Sequence, residues 1–488
     1  MKKIYIYTSI MLLTLAGCKK ELIQNPSNAV NTNNAYVTEA DFTNAVLGAY
    51  SAMIFVTQGT VTTTTYYGGQ DGGSMATTPD VLSDNVVLNQ QGRKSEQDFF
   101  NFKYTGNNTW NLWQNAYSVI GRANNIITNI GHLKDGTFKN NILGEALAIR
   151  ALAHFDLLRV YAKSYTSASA TDPGVPYVTS VDPSLLPSRT PDKTAYDMVV
   201  ADLVQAQGVI GADNGAGRMN KPAVEGILSR VYLYRGEWQN CVTAATASIT
   251  DATATGHQLA STDNFGNIWI DADNLTSTEV LFRVIITDQD NDPIGVGYEQ
   301  ASPNGVKPEY SVDFGLYTLY TNNDVRKAAY IDTSTFNGIL YNYVKKYFGR
   351  ATGNANVVDY KVIRLGEVYL NRAEAYYNLA NQAAARTDLN TLRSNRYTGF
   401  VPGAETGTTL YTAILLQRRL ELAFEGSRFF DIKRLNLPLE RSSFGDNGDG
   451  KGTPASVKTV PATSNLFQLP IPIYEINVNK NVTQNPGY

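Results

Sequence analysis

Two stretches that lie far apart in the chain share one layout: a helical segment with an arginine, aromatic residues near a turn, and a second helical segment of small residues. They read LSRVYLYRGEWQNCVTAA at residues 228–245 and LNRAEAYYNLANQAAART at residues 370–387. In tetratricopeptide-like folds, stacked helix pairs of this kind cover each other's apolar faces. Because the copies are distant, the sequence predicts one mostly helical scaffold with long insertions between helix pairs, rather than a tandem solenoid.

Helical patterns recur along most of the chain. Leu147, Ala151, Phe155 and Leu158 follow the four-and-three spacing of one helix face, which predicts a helix there. Further helices are predicted at residues 39–56, 113–130, 193–209, 222–234, 238–249, 360–379, 382–393 and 408–434.

Irregular segments separate these helices. Residues 57–74 are rich in threonine and glycine, and residues 172–191 hold five prolines, so both are predicted to be loops. A strand-like EVLFRVII lies at residues 279–286, among segments rich in Asp, Asn, Gly and Tyr. We interpret the chain as a single domain at 39–488, with an N-terminal part at 39–235, a C-terminal part at 236–488 and a loop-rich insertion at 250–350 that carries a few short strands.

The N-terminus predicts a membrane anchor. Two lysines precede an apolar run at residues 4–16, and the sequence LAGC follows, with Cys18 as its last residue. The run is shorter than the ~20 residues needed to cross a bilayer and has the size of a secretory signal. Its end resembles the bacterial lipobox, which predicts a signal peptide at 1–17, lipidation of Cys18 and a lipidated tether at 18–38. A plain signal peptide that happens to precede a cysteine is the alternative.

Composition disfavours several classes of function. Lys and Arg total 41 against 44 Asp and Glu, and no basic cluster follows the tether, so nucleic acid is not an expected partner. Three scattered histidines do not predict a histidine metal site; they are His132, His154 and His257. Cys241 lies on a predicted helix among small residues and is interpreted as a buried structural thiol. The 30 tyrosines favour wet, semi-exposed contact surfaces.

One pair of carboxylates suggests an enzyme. Glu421 and Glu425 lie one helical turn apart, and two carboxylates across a cleft can act as acid and base in glycoside cleavage. However, cations are interspersed with them at three- and four-residue spacing, which lowers carboxylate pKa values, whereas a general acid needs a raised pKa. We therefore interpret the set as a structural charge ladder and predict no enzymatic activity; its members are Arg418, Glu421, Glu425, Arg428, Asp431 and Arg434.

Several motifs together resemble the SusD/RagB family of surface lipoproteins from Bacteroidetes. Besides the lipobox, the resemblance covers most of the chain in a fixed order. Its motifs are WQNAYSVIGRANNII (113–127), EALAIRALAHFDLLRVYA (145–162), MNKPAVEGILSRVYLYRGEW (219–238), RLGEVYLNRAEAYYNLA (364–380), RRLELAFEGSRFFDIKR (418–434), PIPIYEIN (470–477) and QNPGY (484–488).

The resemblance implies a mostly α SusD-like fold with four tetratricopeptide-like helix pairs and a loop-rich face that binds a nutrient. It implies lipid anchoring in the outer membrane, facing the cell exterior, and a SusC-like TonB-dependent barrel as partner. Members of the family bind oligosaccharides most often, and peptides in some cases, without catalysis and without a cofactor. A glycan hydrolase and a scaffold that binds only proteins are the alternatives from other classes.

Ligand-recognition candidates are expected in the loops, because a sugar needs an aromatic face to stack on and polar groups at its edge. The loops ahead of the helix at 113–130 and the insertion at 250–350 supply both. In the family, ligand-contacting aromatics come from comparable regions. The candidates are Asp84, Arg93, Asn107, Asn108, Trp110, Trp269, Tyr298 and Tyr310, and the insertion also holds Phe314, Tyr317 and Tyr320. For each aromatic residue, packing within the core is the alternative.

Two acidic segments carry weak signals of a calcium-binding loop. DQDNDPIGVGYE at residues 288–299 matches the acidic positions of an EF-hand loop, but its sixth position is Pro293 instead of glycine. An acidic solvated turn is the favoured interpretation, and a looser calcium site is the alternative, formed by Asp288, Asp290 and Asp292. FGDNGDGKG at residues 444–452 is predicted to be a flexible turn.

Overall fold

The computed structural model of the chain describes residues 35–58, 62–69, 73–270, 279–290, 293–350, 353–355 and 357–488. The predicted signal peptide, Cys18 and most of the predicted tether lie outside the described residues. The helices are α1 (Glu39–Ala52), α2 (Thr78–Val81), α3 (Gln97–Phe100), α4 (Leu112–Asn129), α5 (Thr137–Tyr161), α6 (Asp192–Val209), α7 (Lys221–Arg235), α8 (Trp238–Ala254), α9 (Phe314–Leu319), α10 (Val325–Tyr330), α11 (Leu365–Asn378), α12 (Gln382–Ser394), α13 (Gly407–Glu421), α14 (Arg428–Arg434) and α15 (Ile473–Val478).

The strands are short and pair two by two in antiparallel fashion. They are β1 (Phe55–Gln58) with β2 (Thr62–Thr65), β3 (Val86–Leu88) with β7 (Tyr310–Val312), β4 (Val280–Val284) with β10 (Tyr360–Arg364), β5 (Ala301–Ser302) with β6 (Gly305–Val306), β8 (Ile331–Phe336) with β9 (Ile339–Val344), and β11 (Leu439–Glu440) with β12 (Thr459–Val460). The mostly helical fold with a few short strands is confirmed, and the predicted strand at 279–286 forms β4.

The two similar stretches of sequence lie side by side. Asn220 caps the start of α7 by accepting a hydrogen bond from the Ala223 N–H at 2.9 Å. Gly236, in the left-handed conformation with φ of 69°, ends α7 and lets α8 begin two residues later. Helix α8 packs against α7 and α11, and the buried Cys241 Sγ donates to the Asn371 carbonyl oxygen at 3.5 Å. Each helix pair therefore covers the apolar face of the other, and Cys241 is a buried structural thiol.

Helix α5 forms the centre of the fold. Its residues are buried without interruption from Gly144 to Tyr161, including four charged side chains. A buried charge is tolerated when it is paired. Arg150 accordingly makes two hydrogen bonds of 2.7 Å to Asp202 on α6. Asp156 accepts hydrogen bonds from the hydroxyl groups of Tyr66 and Tyr67 at 2.8 and 2.6 Å, so these two tyrosines are part of the core.

Three predicted segments differ from the structure. Residues 57–74, predicted as loop, contain strand residues, because β1 pairs with β2. The helix predicted at 360–379 begins only at Leu365, because the preceding residues extend as β10. The helix predicted at 408–434 is two helices, α13 and α14. Between them Gly426 adopts a positive φ of 68°, which breaks the helical path.

Gly426 provides a test of this packing. A Cβ at this position would lie 2.0 Å from the Met75 carbonyl oxygen, and the positive φ adds strain to any other residue. We expect Gly426→Ala to lower the free energy of unfolding by about 2–4 kcal/mol in urea titrations.

The matched control is Gly121→Ala in the middle of α4, where no atom lies within 4 Å of the added Cβ. This variant should gain up to ~1 kcal/mol from helix propensity. Equal stability of the two variants would contradict the packing described here.

Candidate functional site

The two regions predicted to recognise a ligand meet in the structure. Strand β3 from the first region pairs with β7 from the insertion. Arg93 Nε donates to Glu309 Oε1 at 2.6 Å, and the backbone N–H of Ser95 donates to Glu309 Oε2 at 2.9 Å. The backbone N–H of Asn89 donates to the Glu309 carbonyl oxygen at 2.8 Å. Glu309 is fully buried and therefore holds the two loops together, while Arg93 stays half-exposed.

The four predicted aromatic plates are buried. Trp110 is 0 % exposed, Trp269 and Tyr310 2 %, and Tyr298 1 %. The ring of Trp269 lies 4.2 Å from the ammonium nitrogen of the buried Lys346, and the ring of Tyr298 stacks on another tyrosine ring. A ring within the core offers no face to a sugar. The prediction that these four rings are exposed stacking plates is therefore corrected, and core packing, the alternative for each of them, describes their place.

The predicted polar residues divide into two groups. Asp84 is buried and accepts hydrogen bonds from Arg428 Nε and Nη2 at 2.7 and 2.9 Å. Burial alone would raise the pKa of Asp84, but Arg419 and Arg428 lower it below its ordinary value. Asp84 thus belongs to the scaffold, which corrects its assignment to a ligand edge. Asn107 and Asn108 are exposed and remain candidates for ligand contact.

Glu421 lies in a buried network of ion pairs. Its carboxylate accepts hydrogen bonds from Arg326 and Arg396, each at 3.0 Å, and from Arg364. Burial alone would raise the pKa of Glu421, but Arg396, Arg364 and Arg326 hold it well below its ordinary range. Such a carboxyl group is ionised and has no proton to donate near neutral pH. We call this cluster the Glu421 network; its members are Glu279, Asp324, Glu421, Glu425, Arg326, Arg364, Arg396 and Lys346.

The carboxylates of the acidic turn in the insertion accept hydrogen bonds from nearby protein groups. Asp290 Oδ2 accepts hydrogen bonds from the backbone N–H and the hydroxyl group of Thr287, both at 2.7 Å, and Asp288 Oδ1 accepts one from the Asn354 N–H at 3.1 Å. Asp292 lies outside the described residues. Among the residues that are described, no group of three His, Cys, Asp or Glu side chains is placed to hold a metal ion.

A partly exposed aromatic cluster forms instead where the insertion meets the loop at residues 444–452. Phe314 and Tyr317, one turn apart on α9, have ring centroids 5.9 Å apart at 23°. Phe444 meets Phe314 edge-on with centroids 5.1 Å apart, and it is 42 % exposed. The Asp313 side chain caps α9 by accepting from the Leu316 N–H at 3.0 Å. We call Phe314, Tyr317 and Phe444 the aromatic platform.

The loop at residues 444–452 presents Phe444 in a fixed position. The backbone N–H of Gly445 donates to the Gly450 carbonyl oxygen at 2.8 Å, and that of Gly448 donates to the Leu340 carbonyl oxygen at 2.7 Å on β9. Gly450 has a φ of 79°, and a Cβ there would lie 2.7 and 2.8 Å from the rings of Phe314 and Phe444. These hydrogen bonds close the turn against β9, and the predicted turn is present.

Polar groups surround the platform. The Lys327 ammonium nitrogen lies 4.3 Å from the centroid of the Tyr317 ring. Asp449 and Lys451 form an exposed ion pair of 3.0 Å on the same loop as Phe444. Ser442 donates a hydrogen bond to Asp313. Lys327 covers one face of the Tyr317 ring, whereas the ion pair lies on the loop beside Phe444, so apolar rings and polar groups occur together as a sugar ring requires.

A cavity of about 400 Å³ lies on the other side of α10 from the platform. Lys327 contacts the platform, and the next two residues, Ala328 and Ala329, line the cavity. Its wall also includes the side chains of Asn322 and Thr398. The platform and the cavity therefore both border on α10.

Two of the three platform residues carry a signal in the sequence that points to the insertion, and the third does not. Phe314 and Tyr317 were among the residues noted in the insertion. Phe444 was missed because its surroundings in the sequence, alternating Gly with Asp and Asn, are typical of a solvated turn. A large aromatic residue in such a polar loop has no local apolar partner, and this was the signal that it lies on the surface.

The chain therefore combines a helical frame of stacked pairs with a partly exposed aromatic cluster. Residues 253–488 match the family described as the SusD family, and residues 44–233 match the family described as starch-binding, associating with outer membrane. The chain belongs to the SusD family. No helix in the described part of the chain is both long and apolar enough to cross a bilayer.

Three similar proteins align with nearly the whole length of this chain. SusD-like protein P2 of Formosa agariphila is 26% identical, and the alignment covers 100% of both chains. A solved structure of a putative sugar binding protein from Bacteroides vulgatus is 27% identical, with a TM-score of 0.81 over 93% of this chain and 99% of that chain. A laminarin binding SusD-like protein shares the fold, with a TM-score of 0.71 and 23% identity over 93% of this chain and 100% of that chain.

The Glu421 network yields a prediction for stability. Removing one charge from a buried ion pair costs about 3–5 kcal/mol, so Glu421→Gln should unfold at a markedly lower urea concentration at pH 7. The folded-state pKa lies below the ordinary value of 4.5, so the stabilisation is present above pH 4.5 and is lost as the pH falls through the folded pKa. The difference in the free energy of unfolding between wild type and Glu421→Gln should therefore become smaller below pH 4.5. The control is Glu440→Gln at an exposed position, which should unfold like the wild type. If the loss of unfolding free energy in Glu421→Gln were the same from pH 7 to pH 3, the charge of Glu421 would not be its cause.

Proposed function

We propose that this protein is a cell-surface lipoprotein that binds a nutrient oligo- or polysaccharide and delivers it, without catalysis, to a SusC-like TonB-dependent transporter in the outer membrane. The observation that carries the proposal is the aromatic platform, which a member of the SusD family presents at its surface. Carbohydrate is favoured over peptide because the platform combines flat ring faces with polar groups at their edge. Relatives described as sugar-binding and laminarin-binding support the same ligand class.

The environment of the glutamate pair supports a role without catalysis. Glutamate pairs that cleave glycosides need one carboxyl group that is protonated at working pH. Glu421 is held ionised by three arginines and is buried away from any ligand on the platform. Glu425 is bound by Lys346 at 2.7 Å and by Arg364 Nε at 2.9 Å. Binding and release of an intact glycan is the role that this arrangement supports.

The platform can be tested directly by mutation. Phe444→Ala should weaken binding of laminarin or starch about 3- to 10-fold, because one aromatic contact contributes about 0.5–1.5 kcal/mol. The double variant Phe314→Ala/Phe444→Ala should abolish binding in affinity gels and calorimetry, while the thermal midpoint changes little for the exposed Phe444.

The matched control is Phe348→Ala, since Phe348 is 52 % exposed but lies outside the platform. Normal glycan binding by the double variant would place the site elsewhere. Release of new reducing ends from the same glycans by the wild-type protein would refute the non-catalytic role. Tighter binding of a peptide pool than of these glycans would show that the ligand is a peptide.

Membrane anchoring is tested at Cys18, which lies outside the described residues. Cys18→Ser should move the protein from the membrane fraction to the soluble fraction and abolish labelling by a fatty-acid analogue. Cys241→Ala is the control, because this buried thiol has a structural role and its loss should leave the protein on the membrane. Membrane retention of the Cys18→Ser protein would contradict lipid anchoring.

A further inference from the structure

A second cavity, of about 480 Å³, lies on a different part of the molecule from the platform. The chain after α5, the end of α14 and the C-terminal segment enclose it. Cavities of this volume are within the range that binds small molecules. The residues that line it and bear on its chemistry are Lys163, Ser164, Ser167, Lys433, Asn465 and Gln468.

Lys433 is the buried ionisable residue in the lining of this cavity. Its residue is 8 % exposed, and its ammonium group donates to the carbonyl oxygens of Arg159 and Ala162, each at 2.6 Å. A lysine ammonium has three donors, so these two carbonyl groups leave one N–H for a further acceptor. Burial lowers the pKa of Lys433 to about 7, and an anionic group that accepted its third N–H would stabilise the charged form of the side chain.

Lys163 supplies a second positive charge at the mouth of the cavity. Its side chain is 44% exposed, and its ammonium nitrogen lies 3.0 Å from Asp172 Oδ1. Asp172 and Asp192 are the acids whose charges act on the two lysines. Neither aspartate lines the cavity, whose ionisable lining side chains are both lysines.

The rest of the lining suits sugar hydroxyl groups. Ser164 and Ser167 line one side, where their hydroxyl oxygens lie 2.5 Å apart and keep lone pairs that can accept from a sugar hydroxyl group. Gln468 is 6 % exposed, and its Nε2 is fixed by the Asn485 side chain at 2.8 Å, which orients the amide. Asn465 Nδ2 donates to the Pro486 carbonyl oxygen at 2.7 Å. These groups are held by the protein in advance, so a ligand loses less free energy in ordering them.

We propose that this cavity binds the carboxylate-bearing unit of an acidic glycan, a uronic acid residue, with Lys163 and Lys433 facing the carboxylate and the serine and amide side chains facing the hydroxyl groups. The inference rests on the proposed glycan role only for the class of ligand. The cavity shares no residue with the platform, so an experiment can refute one of the two proposed binding sites without refuting the other.

The experiment compares sodium glucuronate with glucose, which share the ring but differ in charge, by NMR titration of the full soluble domain. Glucuronate should bind at least ~10-fold more tightly than glucose, because a hydrogen bond to a charged group contributes about 1.5–3 kcal/mol. Lys163→Ala should weaken glucuronate binding about 10-fold. Ser167→Trp, at an exposed position on the rim, should block it without changing the thermal midpoint.

Lys221→Ala is the matched control, because Lys221 is 38% exposed and pairs with Asp251 at 2.8 Å, much as Lys163 pairs with its aspartate. It should bind glucuronate normally, as should the platform variant Phe314→Ala/Phe444→Ala. Equal affinity for glucuronate and glucose, equally tight binding of acetate, or unchanged binding by Ser167→Trp would each overturn the proposal. Loss of laminarin binding in the platform variant with intact glucuronate binding would separate the two sites.

Discussion

The Glu421 network is the constraint on which the rest of the structure depends. Glu421 ends α13, and the three arginines that surround it come from α10, from the end of β10 and from the turn after α12. Four acidic and four cationic side chains meet there, so the charges balance away from water. A buried charge is stable only while its partners are present. The network therefore fastens the insertion to the helical frame in one defined arrangement.

This fastening explains how an irregular insertion can present a binding surface. Tyr320, which follows α9, donates its hydroxyl proton to the Leu420 carbonyl oxygen at 2.8 Å, and Tyr330 at the end of α10 donates to the Glu421 carbonyl oxygen at 2.9 Å. The C-terminal ends of α9 and of α10 are thus both bound to the last turn of α13. Phe314 and Tyr317 lie on that segment, so their rings are positioned before a ligand arrives. Such preorganisation lowers the entropic cost of binding.

The sequence predicted the frame better than the surface, for a physical reason. Helix pairs follow from apolar spacing, and the pairing of Glu421 with cations follows from charge spacing, so both are local signals. An aromatic ring that stacks on a sugar and one that packs in a core have the same chemistry. Trp110 and Trp269 were assigned to the surface because they lie in loop-rich sequence, yet those loops fold back over the core. Burial depends on contacts distant in sequence, such as the pairing of β3 with β7.

The platform and the lysine-lined cavity would use different forces and so would recognise different parts of a glycan. Stacking on Phe314 and Phe444 depends on apolar contact, which salt does not screen. The attraction of Lys163 for a carboxylate depends on charge at a half-exposed position, where the Debye length of about 8 Å at physiological ionic strength limits its range. A neutral chain would then be held at the platform alone at any salt concentration. An acidic chain would be held at both, and its second attachment would weaken as salt rises. The ionic strength of the surroundings would therefore influence which glycans the protein retains.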